Sequence, residues 1–462
     1  MQFTDLSFWA LFIAFLAIFA VLRNTAWLRC LQRNVVLLYV IAFSLVFFYM
    51  ANGWFMILLP ATALVTWGLV KIMSEEKRND QRKFLLGFAI VLDLLPLIFF
   101  KYSNFYIIGI SFFTFQAISY AVDVYRGKFT EKVSLIEYLF YLSFFPLLLA
   151  GPITRAGHFF PQIRVVKNVS SRLLYLGVWL VMLGMIKKCV FADYLAQYNN
   201  WIFESPMTYS GFECMMGILG YTVQIYCDFS GYSDLSIGIA AMMGIRLRDN
   251  FNFPYRSTSV TEFWRRWHIS LSTWFRDYFY IPLGGNRRGK FRTYLNNFLT
   301  MVLAGVWHGA TWMFVLWGAI HGLGLVVNKL CKGVFSSVHG NWLTKSFSWL
   351  LTFVYVAIAW VFFRATSVEN ACLVLSRSVM DFDIAYFTYF IEARPWWCVF
   401  LIIPMLCMLI GERRFVRLQT RFIMMPWIVK LLLFTLAVQV VIQFHTSSVQ
   451  PFIYYQFLVL MR

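Results

Sequence analysis

Two histidines forty positions apart, His268 and His308, are the side chains of this 462-residue sequence best suited to moving a proton. His308 lies within NNFLTMVLAGVWHGATWMFVLWGAIHGLGLV, a run that is apolar apart from two histidines and a few small polar groups. A neutral imidazole costs less to bury there than a carboxylate and still accepts a proton, the profile of a general base working inside a membrane. Tying two helices together by a hydrogen bond is the competing role, and for His321, in the same run, it is the simpler one. His268 stands in EFWRRWHISLSTWFRDYF, beside the stripe formed by Trp264, Trp267, Leu271, Trp274, Phe275 and Tyr278. It points to apolar surroundings, so packing and proton transfer both remain open to it.

Other polar groups fall near these histidines in sequence. YCDFSGYSDLSIGIAAMMGI sets Asp228 and Asp234 among small residues, where they can line a polar passage or hold helices together. YIPLGGNRRGK matches G-x-x-x-x-G-K from Gly284 to Lys290, but Phe291 replaces the magnesium-binding Ser or Thr and no buried strand precedes it, which argues against a nucleotide P-loop. What remains is a glycine-permitted turn carrying Arg287, Arg288, Lys290 and Arg292. It can contact lipid headgroups, or the phosphates of coenzyme A or of a phosphopantetheinylated carrier protein. The sequence contains no Gly-x-Ser-x-Gly elbow, no His-Glu-x-x-His and no Cys-x-x-Cys among its eight cysteines. Serine-hydrolase chemistry, a zinc site and a disulfide framework are therefore unsupported, and no tightly bound cofactor or metal is expected.

The elements that must position these groups are helices in a membrane. Hydrophobic residues make up 60% of the chain against 13% charged, well beyond a soluble domain's share. Apolar segments recur at about 8–22, 35–51, 54–70, 84–100, 105–124, 136–150, 173–190, 212–227, 297–317, 347–363, 396–411 and 427–444. They predict an all-α polytopic protein of about eleven spans with interfacial or re-entrant pieces, one integral-membrane domain over 1–462. The net charge of +19 gathers in short loops, such as Arg23, Arg29 and Arg33, then Lys71, Lys77, Arg78, Arg82 and Lys83. That is the pattern of cytoplasmic loops rather than of nucleic-acid binding, and it places the Asn52-Gly53 turn and the N-terminus outside. The first run lacks a basic leader and a cleavage site, so it reads as a retained span. The stretch 262–279 reads as one amphipathic helix lying along the membrane surface. A helix running from Asn297 to Val327 would be about 46 Å long, so the glycines at 305 and 309 are expected to interrupt it or pack it closely.

The strings GISFFTFQAISYAVDVYRG (109–127), FPLLLAGPITR (ending at Arg155), YCDFSGYSDLSIGIA (226–240), FWRRWHISLSTWFRDYFYIPLGGNR (263–287) and GVWHGATWMFVLWGAIHG (305–322), with the ending FIYYQF (452–457), resemble the membrane-bound O-acyltransferase family. The similarity is to its bacterial branch of alginate O-acetylation and teichoic acid D-alanylation proteins. The resemblance implies a ring of helices around a thin core pierced by a tunnel, with N-terminal helices over 1–100, a catalytic core over 101–330 and C-terminal helices over 331–462. It implies that His308 is the principal catalytic residue and His268 its partner, while His321, Asp228 and Asp234 support them. It further implies transfer of an acyl group, acetyl foremost, from a cytoplasmic acyl-CoA or acyl-carrier thioester to a hydroxyl. The acceptor would be an extracytoplasmic polysaccharide, and a membrane-anchored extracytoplasmic partner would work beside the protein in the bacterial inner membrane. The alternative from another class is a transporter or channel, or a scaffold without activity. A transporter would be expected to show repeat symmetry between its halves, which this sequence lacks.

Overall fold

The computed structural model describes residues 3–24, 32–103, 105, 107–149, 151–164, 169–334 and 341–444. Arg29, Cys30 and the FIYYQF ending lie outside them. Every regular element among the described residues is helical, as the sequence predicts. The chain divides into two units, one of residues 1–181 with 232–249, the other of 182–231 with 250–462.

The first unit holds α1 (Leu6–Asn24), α2 (Gln32–Asn52), α3 (Leu58–Glu75), α4 (Asn79–Tyr102), α5 (Ile110–Tyr125), α6 (Leu135–Ser143), α7 (Phe145–Leu148), α8 (Ala156–Ile163) and most of α9 (Ser171–Met185). Its centre is α5, buried without interruption from Ile110 to Val122 and packed by α3, α4 and α6. Asn52 anchors the approach to α5, accepting from the Ile108 amide at 2.7 Å and donating to the Ile108 carbonyl at 3.3 Å. A capping box of Ser134 and Glu137 starts α6. The Phe145–Arg155 string is structural, because Ser236 donates its hydroxyl to the Pro146 carbonyl and a side chain at Gly151 would collide with both.

The second unit holds α10 (Asp193–Glu204), most of α11 (Gly211–Met242), α12 (Val260–Arg266), α13 (Ile269–Phe275), α14 (Lys290–His308), α15 (Trp312–Val334), α16 (Trp342–Arg364), α17 (Val368–Met380), α18 (Tyr386–Ala393), α19 (Pro395–Ile410), α20 (Glu412–Met424) and α21 (Trp427–Phe444). α14 and α15 form an antiparallel hairpin whose contact line is made of glycine. A Cβ at Gly305 would meet the Phe314 carbonyl, one at Gly318 the Met301 carbonyl, and one at Gly322 the Phe298 side chain at 2.9 Å. Such small-residue seams let membrane helices approach through their backbones, where apolar side chains gain nothing over lipid tails.

One expectation is not confirmed and one needs correction. Among the described residues seven helical segments are long and apolar enough to cross a membrane, or eight if the bent α18–α19 pair is one span, with Gln32–Glu75 counted once, so the count of about eleven is not confirmed. The stretch 136–150 breaks at Phe144 into helices of nine and four residues. α5 has only 16 residues, and α14 begins in the basic loop with Lys290 and Arg292. Nor is 262–279 one helix. It divides at Trp267 and His268, and its C-terminal part continues into a π-helical turn at Arg276–Tyr280.

Candidate active site

Both histidines of the forty-residue pair sit where a helix is interrupted. α12 is capped by Ser259, whose side chain accepts from the Glu262 amide at 3.2 Å, and it ends at Arg266. His268 then adopts φ +41° and ψ +56°, a left-handed conformation that side-chain-bearing residues rarely take. The loop 250–252 satisfies the backbone groups freed by the break. The Asn252 amide donates to the Arg266 carbonyl at 2.9 Å, and the Ile269 amide donates to the Asn250 carbonyl at 2.8 Å.

The Asn250 side chain fixes the His268 ring. Its Oδ1 accepts from the Ser270 amide at 3.1 Å and from the Ser270 hydroxyl at 2.9 Å, and it lies 3.2 Å from His268 Nδ1. A backbone N–H can only donate, so the atom facing Ser270 is the amide oxygen, and His268 Nδ1 must be the protonated nitrogen. The lone pair therefore lies on Nε2, which is buried and makes no hydrogen bond among the described residues. Burial at 1% exposure holds the ring neutral, its conjugate acid depressed to about 3. Phe229 packs edge-on against the ring at 4.5 Å.

His308 closes α14, and Gly309, at φ −176°, is fully extended. The glycine interruption expected at 305 and 309 is present, Gly305 in the hairpin seam and Gly309 at the break. The Trp307 ring is near both histidines, 6.4 Å from His268 and 4.8 Å from His308. Trp317 and Phe363 complete the wall around His308 at 5.0 and 5.1 Å. At 8% exposure His308 is the most open of the three, against 1% for His268 and none for His321.

His321 extends the same aromatic run, 5.0 Å from Trp317. Its Nδ1 accepts from Trp264 Nε1 at 3.3 Å, so the neutral ring carries its proton on Nε2, the opposite tautomer to His268. Asp228 is placed elsewhere, in an ion pair with Lys188 at 2.6 Å. Asp234 belongs to the other unit and is half-buried there. Arg287, Arg288, Lys290 and Arg292 are exposed at the start of α14. At 1.5 Å per residue, the 19 residues of that helix hold Lys290 about 27 Å from His308. Among the described residues no three potential metal ligands converge.

Sequence reasoning passed over Asn250, Lys188 and Asp193. Asn250 carries no periodic or motif signal. Lys188 does carry one, as a charge inside the apolar run 173–190. It bridges Asp193 and Asp228, each at 2.6 Å, from a π-helical turn over Ile186–Ala192. The wider turn brings residues five apart onto one face, which an α-helix would set about 140° apart.

A polytopic helical chain with a histidine at the end of a glycine-seamed hairpin and a second one locked by an asparagine matches the profile of the membrane-bound O-acyltransferase family over residues 9–342. The chain belongs to that family. Similar membrane-bound O-acyltransferases include a probable alginate O-acetylase AlgI of Pseudomonas aeruginosa, 42% identical over 317 residues that make up 64% of this chain and 59% of the relative. A peptidoglycan O-acetyltransferase of Helicobacter pylori is 33% identical over 387 residues, 74% of this chain and 73% of the relative. A teichoic acid D-alanyltransferase of Streptococcus thermophilus is 31% identical over 287 residues, 57% and 69% of the two chains. The match covers about six-tenths of the length of the alginate relatives.

Proposed function

We propose that this chain is a multi-pass O-acyltransferase of the bacterial inner membrane, with its N-terminus outside. It moves an acetyl group from a cytoplasmic thioester, on coenzyme A or a carrier protein, toward a hydroxyl of an extracytoplasmic polysaccharide, with a membrane-anchored partner completing delivery. One observation carries this reading: His268, held by Asn250 with its Nε2 lone pair unused, and His308, the more open of the two, both neighbour the Trp307 ring. The names of the three relatives describe O-acetylation of alginate, O-acetylation of peptidoglycan and D-alanylation of teichoic acid.

In the proposed step His308 takes the hydroxyl proton as the oxygen attacks the thioester carbonyl. The new C–O bond forms, the C–S bond breaks, and the proton passes to the departing sulfur as a thiol. His268 Nε2 accepts a hydrogen bond from a neighbouring hydroxyl of the same acceptor and so orients the attacking one. The test is reconstitution of the purified full chain in liposomes with acetyl-labelled coenzyme A, acetylated carrier protein and candidate partners. Wild-type protein should release thiol and move the label to polymer or partner. His308→Ala should lose about 10²- to 10⁴-fold, the range for a positioned acid–base group. Turnover near wild type in that variant would remove His308 as the base.

A further inference from the structure

A buried imidazole whose proton position is fixed dictates what its ligand must bring. His268 donates from Nδ1 to Asn250 Oδ1 at 3.2 Å, and the same oxygen accepts from the amide and the hydroxyl of Ser270. Moving the proton to Nε2 would set a lone pair of the ring against that oxygen, so the tautomer is held by geometry. Nε2 is thereby an acceptor only.

The protein supplies no donor for it. Phe229 packs edge-on at 4.5 Å and Phe251 lies 6.3 Å away, and neither carries an N–H or an O–H. Nε2 is sealed from the surface and makes no hydrogen bond among the described residues, so Trp307, with its ring 6.4 Å away, does not donate to it either. A trapped water is a poor filler, because it needs roughly two to four polar partners and these walls are aromatic. An orphaned acceptor at 1% exposure destabilises the fold, and a donor arriving with the substrate explains its retention.

That donor is a second hydroxyl of the acceptor. The acyl group offers a carbonyl, which can only accept, and a pantetheine amide lies beyond the sulfur and departs with it. The attacking hydroxyl has one proton, and His308 takes it. Reach allows both hydroxyls on one sugar ring. The Trp307 ring is 6.4 Å from the His268 ring and 4.8 Å from the His308 ring, so the two imidazole centres are no further apart than the sum of those distances. Two O–H···N bonds of about 2.8 Å, about 3 Å between oxygens on adjacent carbons and about 1 Å from each nitrogen to its ring centre span roughly 10 to 11 Å when extended. Adjacent hydroxyls therefore reach nearly across the widest separation these contacts allow, and a bent arrangement serves a shorter one. The sugar ring holds the pair at a fixed torsion, so gripping one hydroxyl orients the other.

Resting on the acyl-transfer reading above, we infer that the acceptor is a vicinal diol, a sugar ring with free hydroxyls on adjacent carbons, and that His268 selects it by binding the hydroxyl that does not react. A site that leaves a buried polar atom unpaired rejects the analogue lacking its partner far more strongly than an apolar pocket rejects a missing methylene.

The test uses the purified full chain in liposomes with acetyl-coenzyme A or acetylated carrier protein. The acceptor is a methyl pyranoside whose free hydroxyls are one adjacent ring pair and the exocyclic one. Three analogues lack one member of the pair, the other member, or the exocyclic hydroxyl. Wild-type kcat/KM should fall at least about a hundredfold when either member of the pair is missing, and less than about threefold when the exocyclic one is. Taking the ratio within each protein cancels any loss of folded material. His268→Leu should bring that ratio to within about threefold of one. His268→Asn, whose amide can donate to Asn250 while an oxygen stays free, should keep part of it. A wild type that does not discriminate, or either variant with the full wild-type ratio, would overturn the assignment and leave His268 a packing residue. Wild-type protein that released thiol only onto a partner protein's serine would also overturn it, with the acyl-transfer reading intact. No thiol release with any acceptor would refute that reading itself.

Discussion

Replacing His268 by Asn separates its charge behaviour from its backbone role. Burial depresses the His268 conjugate acid from 6.5 to about 3. Between those values the unfolded chain binds a proton that the folded chain refuses, so stability falls as pH drops through 6.5 and the loss is complete near 3. At 1.36 kcal/mol per unit, the 1.5 units from 6.5 down to about pH 5 amount to about 2 kcal/mol. Above 6.5 this residue adds no slope. Asn does not titrate, tolerates the left-handed backbone at φ +41°, and can donate its amide N–H to Asn250 Oδ1. His268→Asn should therefore remove about 2 kcal/mol of acid sensitivity while remaining about 1–2 kcal/mol more stable than His268→Ala, which loses the donor and strains the backbone. The assay is denaturant unfolding in detergent micelles near pH 7 and near pH 5, read as the wild-type difference minus the variant difference so that other titrating groups cancel. Equal acid sensitivity in wild type and His268→Asn would show that the ring is not held neutral by burial and would void the tautomer argument built on Asn250.

Three further outcomes are expected. Gly318→Ala drives a methyl into the Met301 carbonyl and should cost about 1–3 kcal/mol, seen as a lower midpoint of thermal unfolding. Lys188→Met leaves Asp193 and Asp228 buried together without their shared cation and should cost about 3–5 kcal/mol; adding Asp193→Asn and Asp228→Asn should recover most of it, and a triple variant no better than the single one would refute the charge argument. In a background freed of native cysteines, single cysteines at Asn52 or Gly53 should react with an impermeant reagent on intact cells, and those at Arg78 or Arg288 only after permeabilisation; labelling of residue 288 from outside would exclude a cytoplasmic donor at that face.

The helical, membrane-embedded character of the chain was legible because apolar runs recur from end to end, and the α14–α15 break was legible because glycine at 305 and 309 punctuates a run too long for one crossing. The break at His268 was not. The spacing of Trp264, Trp267, Leu271 and Trp274 carries straight through it, and what bends the chain there is a set of hydrogen bonds from the loop 250–252, out of reach of any local pattern. The span count was not legible for a related reason: an apolar stretch such as Ile110–Val122 has the same composition whether lipid or neighbouring helices surround it. The ion pairing of Lys188 stayed hidden because residues five apart share no face of an ordinary helix.

The wide turn at Ile186–Ala192 makes chain length itself a determinant here. Deleting one residue within it would let the segment relax to ordinary pitch. If the lost residue lay between Lys188 and Asp193, the two would stand four apart, a spacing that shares one face at ordinary pitch, and α10 would nearly keep its facing. The same loss inside α10 has no such reserve and would rotate everything after it by about 100°. Substitutions change one side chain each, whereas a single-codon loss re-indexes a helix unless a wide turn absorbs it, so length variation should be tolerated better at this turn than within the helix that follows.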